Sequence, residues 1–594
     1  MEGQRFENNV GMSKELIQKA CCLSIEAQKS TGKPYLSEKS HGLSAIIFGF
    51  AGSWSKDDWF SRKPFRDMKV NLEFSPSLRS IGNDEVATVN EAFYSRFQET
   101  KAKSSLEVEV YKAVSEKRQI VFAGHSSGGA IAILAAIWFL EKYIRSNATT
   151  IPPNCVTFGS PLVGDRIFQH GLRRENWAPH FLHFVLRYDI VPRIMLCPVS
   201  SIEQELQPIL DLFKPKSSSF EQEFSGISSI ASTFFTTVVR NASSVASHDA
   251  FNLMEYTNLL LKTVTSSIEI SPYRPFGTYI FCTGNGKLVV LRNPDAILQL
   301  LFYGAQPSSE ADGARVIYKS FKEHLIYEDE VKKSLNTQDV VYLDHLDDLA
   351  TTDAVLNDLD LSTGARLCLQ AAGEMEKKKL QNQEMTNSLK VTIEKGLKKV
   401  QDYQTECEAR NVGYYDAFKL HKYESDFYAH VSGFELGDAW DPIIEMLKKY
   451  ELPDEFEGKK EWIELGTRYR QLVEPLSIAN YYRHLKGHDT GPYLIKGRPK
   501  LYRYTQRWRE HAERMPAGSS SESCFLAEVE ELRTETFDDV KGRILTLEKQ
   551  VLNWVRDGEL RNDIFLDEST FVKWWKMLPP QHRAASCISE YMGS

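Results

Sequence analysis

From Leu43 to about Gln370, short apolar and β-branched runs alternate with longer stretches of helical periodicity. That alternation predicts a mostly parallel sheet covered on both faces. Five runs read as its strands: Ser44–Phe48, Gln119–Ala123, Cys155–Phe158, Phe181–Leu186 and Thr278–Thr283, each closed by Gly, Pro or charged residues. Ala130–Leu140 is apolar on every side and reads as a buried helix. Between Lys216 and His248 lies a Ser/Thr-rich stretch with interspersed Phe, Ile and Val. It is too apolar for a linker and too irregular for a core strand, so an ordered cover or a partly mobile insertion is expected. Near Gly373 the texture changes. Glu374–Val400 carries charge runs and no proline, and helical segments continue to the end with scarcely a β-rich run. The expected layout is an α/β domain over residues 1–373 and an all-α helical-bundle domain over residues 374–594.

With 42% hydrophobic and 26% charged residues, the 594-residue chain has an ordinary globular composition, which excludes extended disorder. Its 72 basic and 80 acidic residues sum to −8, so there is no global drive toward nucleic acid or anionic membrane. Any anion site must be local. Nine cysteines without a CxxC pair argue against a disulfide framework or structural zinc, and fit a reducing compartment. The start, Met1 to Gly11, is polar, and the longest apolar run, Ala130–Leu140, is well short of the roughly 20 residues that span a bilayer. These features predict a soluble intracellular protein with no transmembrane segment, no metal and no cofactor. Lys377–Lys379 reads as a solvated helix face rather than a nuclear import signal.

The strongest chemical signal is Gly124-His125-Ser126-Ser127-Gly128, set between an apolar strand and the buried helix. This is the spacing of a nucleophile elbow, whose glycines relieve a crowded turn that lifts Ser126 above the sheet edge. A serine nucleophile needs an imidazole base held by a carboxylate, in the chain order Ser, Asp, His for this fold. Asp189 follows the strand Phe181–Leu186 at the sheet's C-terminal edge, although a turn cap before Pro192 would use the same residue. His324 comes 135 residues later. By itself it is an ordinary surface or core histidine; the three in order make the case. An oxyanion hole needs two backbone N–H groups. Ser127 would supply one, and Ser53, in the loop Gly49–Ser53, the other.

Gly124–Gly129, Thr157–Asp165, Asp189–Arg193 and His324 with Tyr327 together resemble the class 3 lipases over roughly residues 40–330. Nearly the whole chain is similar to the plant Enhanced Disease Susceptibility family of lipase-like immune regulators. The segments that carry this are Ser271–Pro275, Leu452–Gly458, Tyr481–Lys486 and Asp489–Tyr493. The resemblance implies an α/β-hydrolase domain, mostly a parallel sheet, followed by the helical bundle. It further implies innate-immunity signalling in cytoplasm and nucleus by pairing with a sibling lipase-like protein, with hydrolysis dispensable and a helper immune receptor as a further partner. Ser127 stands where lipases usually have Leu, and the Lys216–His248 stretch is placed to roof the site. The alternative is a carboxylic ester hydrolase in which Ser126 attacks, His324 shuttles the proton, Asp189 orients it, and Ser53 with Ser127 stabilise the oxyanion.

Two surfaces complete the reading. In Phe251–Ile270, Leu260, Val264 and Ile268 form one helical stripe. Periodicity alone favours packing on the chain's own sheet; the family resemblance makes the stripe a partner contact. Between Arg483 and Arg514 nine Lys/Arg face three acids, with Tyr481, Tyr482, Tyr493, Tyr502, Tyr504 and Trp508 among or beside them. Cations and aromatics together can neutralise phosphate and stack a base, although a solvated basic helix has the same composition. The resemblance implies a small nucleotide-derived ligand here, lined by His484, Lys486, Arg498 and Arg503. Related sequences carry Arg at the position of Leu501. Direct DNA binding is not expected from one local patch.

Overall fold

The computed structural model describes all residues except 1, 31, 41–43, 61–63, 147–148, 216–218, 254–268, 307–311, 338, 344–345, 347–360, 517, 520 and 593–594. The chain divides into two compact units, residues 1–80 with 84–378 and residues 81–83 with 379–594. The composition change near Gly373 falls inside one uninterrupted helix, Thr363–Ala409.

The first unit is built on an eight-stranded sheet whose strands lie in chain order. They are β1 (Tyr35–Ser40), β2 (Ala45–Phe50), β3 (Gln119–His125), β4 (Asn154–Phe158), β5 (Phe181–Leu186), β6 (Thr278–Cys282), β7 (Lys287–Leu291) and β8 (Asp339–Tyr342). Pairing is parallel except for β1 with β2 and β6 with β7. Each predicted strand is present within two residues of its expected ends; β1, β7 and β8 are additional. Side chains alternate between two cores. Phe48, Phe50 and Phe122 join one with helix α3 (Ser127–Phe139), while Ile47, Val121, Val156 and Phe158 join the other with α1 (Lys14–Lys29). Ser127–Ile144 is apolar enough to cross a membrane by composition, but 78% of that window is buried in the unit, as befits a core helix.

The Ser/Thr-rich stretch is an ordered helical cover. Its described part forms the helices Phe220–Gly226 and Ser228–Leu253, and Ala231, Phe234, Phe235, Val238, Ala242 and Val245 are buried. The expected partner stripe, Leu260, Val264 and Ile268, lies outside the described residues.

One buried acid gives the first unit a pH signature. Glu141 accepts from the Ser77 N–H at 2.9 Å and lies 3.7 Å from Arg145, yet burial pushes its carboxyl up from 4.5 to about 7. The folded value exceeds the unfolded one, so stability is full below pH 4.5 and falls as pH rises through 7. Glu141→Gln should therefore be neutral at low pH and stabilising by up to about 3 kcal/mol above neutrality. Calorimetric unfolding midpoints across the pH range check this; a gain that does not grow with pH would contradict it.

The second unit is all-helical in its described residues. Helices Glu424–Lys448, Lys460–Arg483, Lys500–Glu513, Phe525–Leu532 and Phe537–Arg556 enclose a core holding Trp440, Phe456, Trp462, Tyr469 and Trp508. Trp440 and Trp462 meet edge to face at 5.9 Å, a preferred ring geometry.

Candidate functional site

Ser126 sits between β3 and α3 with φ 55° and ψ −137°, a sparsely populated conformation for a non-glycine residue. Packing holds that strain. A β-carbon on Gly124 would stand 2.2 Å from the Gly128 carbonyl oxygen, and one on Gly128 would stand 2.3 Å from that of Phe50. The Ser126 N–H donates to the Phe158 carbonyl at 3.0 Å, tying the elbow to β4.

Asp189, just past β5, accepts from His324 Nδ1 at 3.1 Å to both carboxylate oxygens. Tyr327 donates its hydroxyl to the same carboxylate at 2.6 Å, and the Val191 N–H adds a third contact at 3.0 Å. Burial alone would raise the Asp189 carboxyl. The His324 charge and these hydrogen bonds outweigh it and hold the carboxyl below its ordinary range. His125 joins the nucleophile to this pair: its ring stacks on that of His324 at 4.5 Å, and its Nε2 meets the His324 carbonyl at 2.9 Å. Burial, then the neighbouring His324, depress His125 to about 3, so it stays neutral.

The Asp189–His324 half of the expected triad is formed and sealed, but no hydrogen bond joins Ser126 to it. Ser126, Asp189 and His324 are all 0% exposed, and neither Ser126 Oγ nor His324 Nε2 has a hydrogen-bond partner among the described residues. Phe213 packs on the His324 ring at 4.6 Å. Beside the triad is a cleft of about 210 Å³ lined by His125, Trp54, Phe213, Phe220 and Leu325, among others.

The oxyanion donors need a correction. Ser53, expected to offer a free N–H, donates it to Ser127 Oγ at 2.8 Å, and that hydroxyl lies 3.3 Å from the Ser53 carbonyl. The adjacent Gly52 N–H goes to Gln28 Oε1 at 2.5 Å. The small polar Ser127 fits where a leucine has no hydroxyl to accept with, so its side chain occupies the donor that its backbone was expected to work beside.

Sequence reasoning gave no role to four supports, Tyr327, Arg193, Gln28 and Phe213, although the first two lie in the motifs that carry the lipase resemblance. Buried Arg193 ties together the carbonyls of Asp189, Arg187 and Leu301. Tyr327 had a usable signal, three residues after His324 and so one helical turn away, and Arg193 closes the motif that begins at Asp189; Gln28 and Phe213 had none.

In the second unit two cations of the basic zone, Arg498 and Arg509, are paired with acids of the same unit. Arg498 forms a fork on Glu474, Nε to Oε1 at 2.6 Å and Nη2 to Oε2 at 3.0 Å, and also reaches Gln506 at 2.6 Å. Burial would lower the Arg498 guanidinium, but the Glu474 carboxylate overrides it and keeps the group charged. Arg498 is thus a structural pair rather than a free lining cation. Arg509 likewise meets Glu513, Glu522 and Glu559. The expected base-stacking aromatics are core residues: Tyr481, Tyr493, Tyr502, Tyr504 and Trp508 are all at most 7% exposed, with Tyr482 half-buried. Helix Lys500–Glu513 is amphipathic and turns its rings inward, with Leu501 buried beside them. His484 and Lys486 are exposed, and Arg503 is half-exposed.

The sheet order, the strained serine elbow and the Asp–His pair define a class 3 lipase-like α/β-hydrolase unit, followed by a helical unit. Residues 47–199 match the Lipase (class 3) family, and residues 398–591 match the Enhanced disease susceptibility 1 protein EP domain. The chain is 41% identical to Protein EDS1 of Arabidopsis thaliana over 631 aligned residues, covering 99% of each chain. It is 25% identical to Lipase-like PAD4 of the same plant, covering 84% of this chain and 81% of that one. Senescence-associated carboxylesterase 101, also of Arabidopsis thaliana, is 22% identical over 84% of this chain and 77% of its own. The chain belongs to the plant EDS1 family.

Proposed function

We propose that this protein is a non-hydrolytic, lipase-like regulator of plant defence. In this reading it pairs with a sibling of the same layout and senses a small nucleotide-derived ligand downstream of intracellular immune receptors, in cytoplasm and nucleus. The observation that carries the non-hydrolytic part is the Ser53 N–H already donated to Ser127 Oγ, next to a nucleophile with no exposure. Acyl transfer draws its largest electrostatic assistance from donors free to meet the developing oxyanion, and this one is engaged. Lipase-like PAD4 and Senescence-associated carboxylesterase 101, each aligning over 84% of this chain, supply candidate siblings. Exposed Lys486, with Arg503, offers positive charge to a phosphate, and exposed His484 adds a ring donor.

The test is complementation in plants lacking the protein. Ser126→Ala should restore signalling fully, and a dead Ser126→Ala variant would overturn the proposal. Partner contact is assigned to the 251–270 segment. Val264→Glu with Ile268→Glu should abolish co-purification with the sibling, because two unpaired carboxylates are costly to bury; unchanged recovery would refute that contact. Calorimetric titration of the paired complex with an ADP-ribosylated nucleotide should give saturable binding, lost on Lys486→Ala with Arg503→Ala.

Ester hydrolysis is kept as a second reading because His324 Nδ1 lies 3.1 Å from Asp189, with Ser126 on the adjoining elbow. Under it, purified protein turns over a short-chain ester, and Ser126→Ala abolishes that turnover.

A further inference from the structure

The first unit contains a second cavity, of about 360 Å³, which shares no lining residue with the cleft beside His125. Sites for small organic ligands run roughly 300–1,000 Å³. The cavity lies between α2 (Glu91–Lys103), the C-terminal half of α3 and the loop 70–78.

Its two walls differ in kind. Leu134, Ile137 and Trp138 of α3, with Val70 and Leu78, make one wall apolar. On the other, α2 presents Tyr94, Gln98 and Lys101, spaced i, i+4 and i+7 along one helix face. All three are half-buried, and none makes a hydrogen bond or ion pair with a described residue.

The nearby acids do not satisfy them. Glu107 is taken by Lys142 at 3.0 Å, and Glu141 accepts from the Ser77 N–H. Glu73 is exposed on the loop, next to Phe74, which is 65% exposed at the cavity rim.

The phenol, amide and ammonium donors of this row keep contact with solvent and have no protein acceptor among the described residues, so an acceptor-rich head group can meet them without displacing any such contact. A charged acceptor is favoured because a charge-assisted contact to Lys101 is about twice as strong as a neutral one. The opposite wall offers only dispersion and apolar burial, which a hydrocarbon or aryl tail satisfies.

The geometry points to a binding site for a small amphiphilic carboxylate, its tail against Leu134, Ile137 and Trp138 and its head on the Tyr94–Gln98–Lys101 stripe. The occupant is recognised by both ends, so neither an apolar alcohol nor a short hydrophilic acid substitutes for it.

Laurate titrated into the full-length chain by calorimetry should bind saturably at one site, with dodecan-1-ol about tenfold weaker or more. Lys101→Met should weaken laurate by a similar factor and leave dodecan-1-ol unchanged. Ile137→Trp and, independently, Leu134→Phe fill the apolar wall and should remove both ligands, with thermal unfolding confirming that each variant folds. Lys101→Met changes a half-exposed side chain and tests the head contact even if the filling variants are unstable. The assignment is overturned if wild-type protein shows no saturable laurate binding or if Lys101→Met binds laurate as tightly as wild type. It is equally overturned if binding survives both filling variants and is lost instead on Phe213→Trp at the serine cleft.

Discussion

Ser127→Ala should raise the rate at which a small fluorophosphonate labels Ser126 by about a hundredfold, the order of effect of one oxyanion donor. The Ser127 hydroxyl now accepts the Ser53 N–H at 2.8 Å and lies 3.3 Å from the Ser53 carbonyl, so the pair satisfies itself. Without the hydroxyl, the N–H is free to meet a developing negative charge. The variant leaves a buried donor unpaired at rest and should lose about 1–3 kcal/mol of stability, visible as a lower unfolding midpoint. Mass spectrometry should place the label on Ser126 and find none in the Ser126→Ala, Ser127→Ala double variant. Equal labelling of wild type and Ser127→Ala would mean that the engaged donor does not limit reactivity at Ser126. In that case the sealing ring of Phe213 over His324 becomes the controlling contact.

Arg498→Met should cost the helical unit about 3–5 kcal/mol, because it leaves the Glu474 carboxylate buried without its partner. The ion pair is 10% and 0% exposed on its two sides, and Glu474 also accepts from Ser523 Oγ at 2.5 Å. Lys486→Met, at an exposed position, should stay within about 0.5 kcal/mol of wild type in denaturant titrations. The two substitutions therefore separate a structural cation from a surface one, although both lie in the same basic run. An Arg498→Met protein as stable as wild type would return Arg498 to the candidate ligand contacts.

The contrast between these cations shows why the second unit was harder to read than the first. A run of Lys, Arg and Tyr has the same composition whether its rings face a ligand or a core. Here Tyr502, Tyr504 and Trp508 lie on the buried face of Lys500–Glu513, with the Trp508 ring N–H bonded to the Glu457 carbonyl at 2.5 Å. In the first unit β2 to β6 were legible because burial on both faces leaves an apolar run, although β7, buried in the same way, was not read. β1, Tyr-Leu-Ser-Glu-Lys-Ser, and β8 lie at the two edges, where exposed positions admit charge and the apolar signal fades. The elbow was legible for a similar local reason: its glycines stand where any β-carbon would collide, so the spacing itself records the turn.

By itself, the amino-acid sequence determined the α/β order of the first unit, the elbow around Ser126, the Asp189 and His324 candidates and the helical character of the second unit. Each follows from residue type and spacing over a few turns or strands, where steric and hydrophobic constraints act locally. The tertiary structure alone decided that the Ser53 N–H meets Ser127 across 74 residues, that Tyr327 closes on Asp189, and that Arg498 answers Glu474. Hydrogen-bond pairing between distant segments depends on ångström-scale placement by the packed core, and no local pattern encodes which donor finds which acceptor.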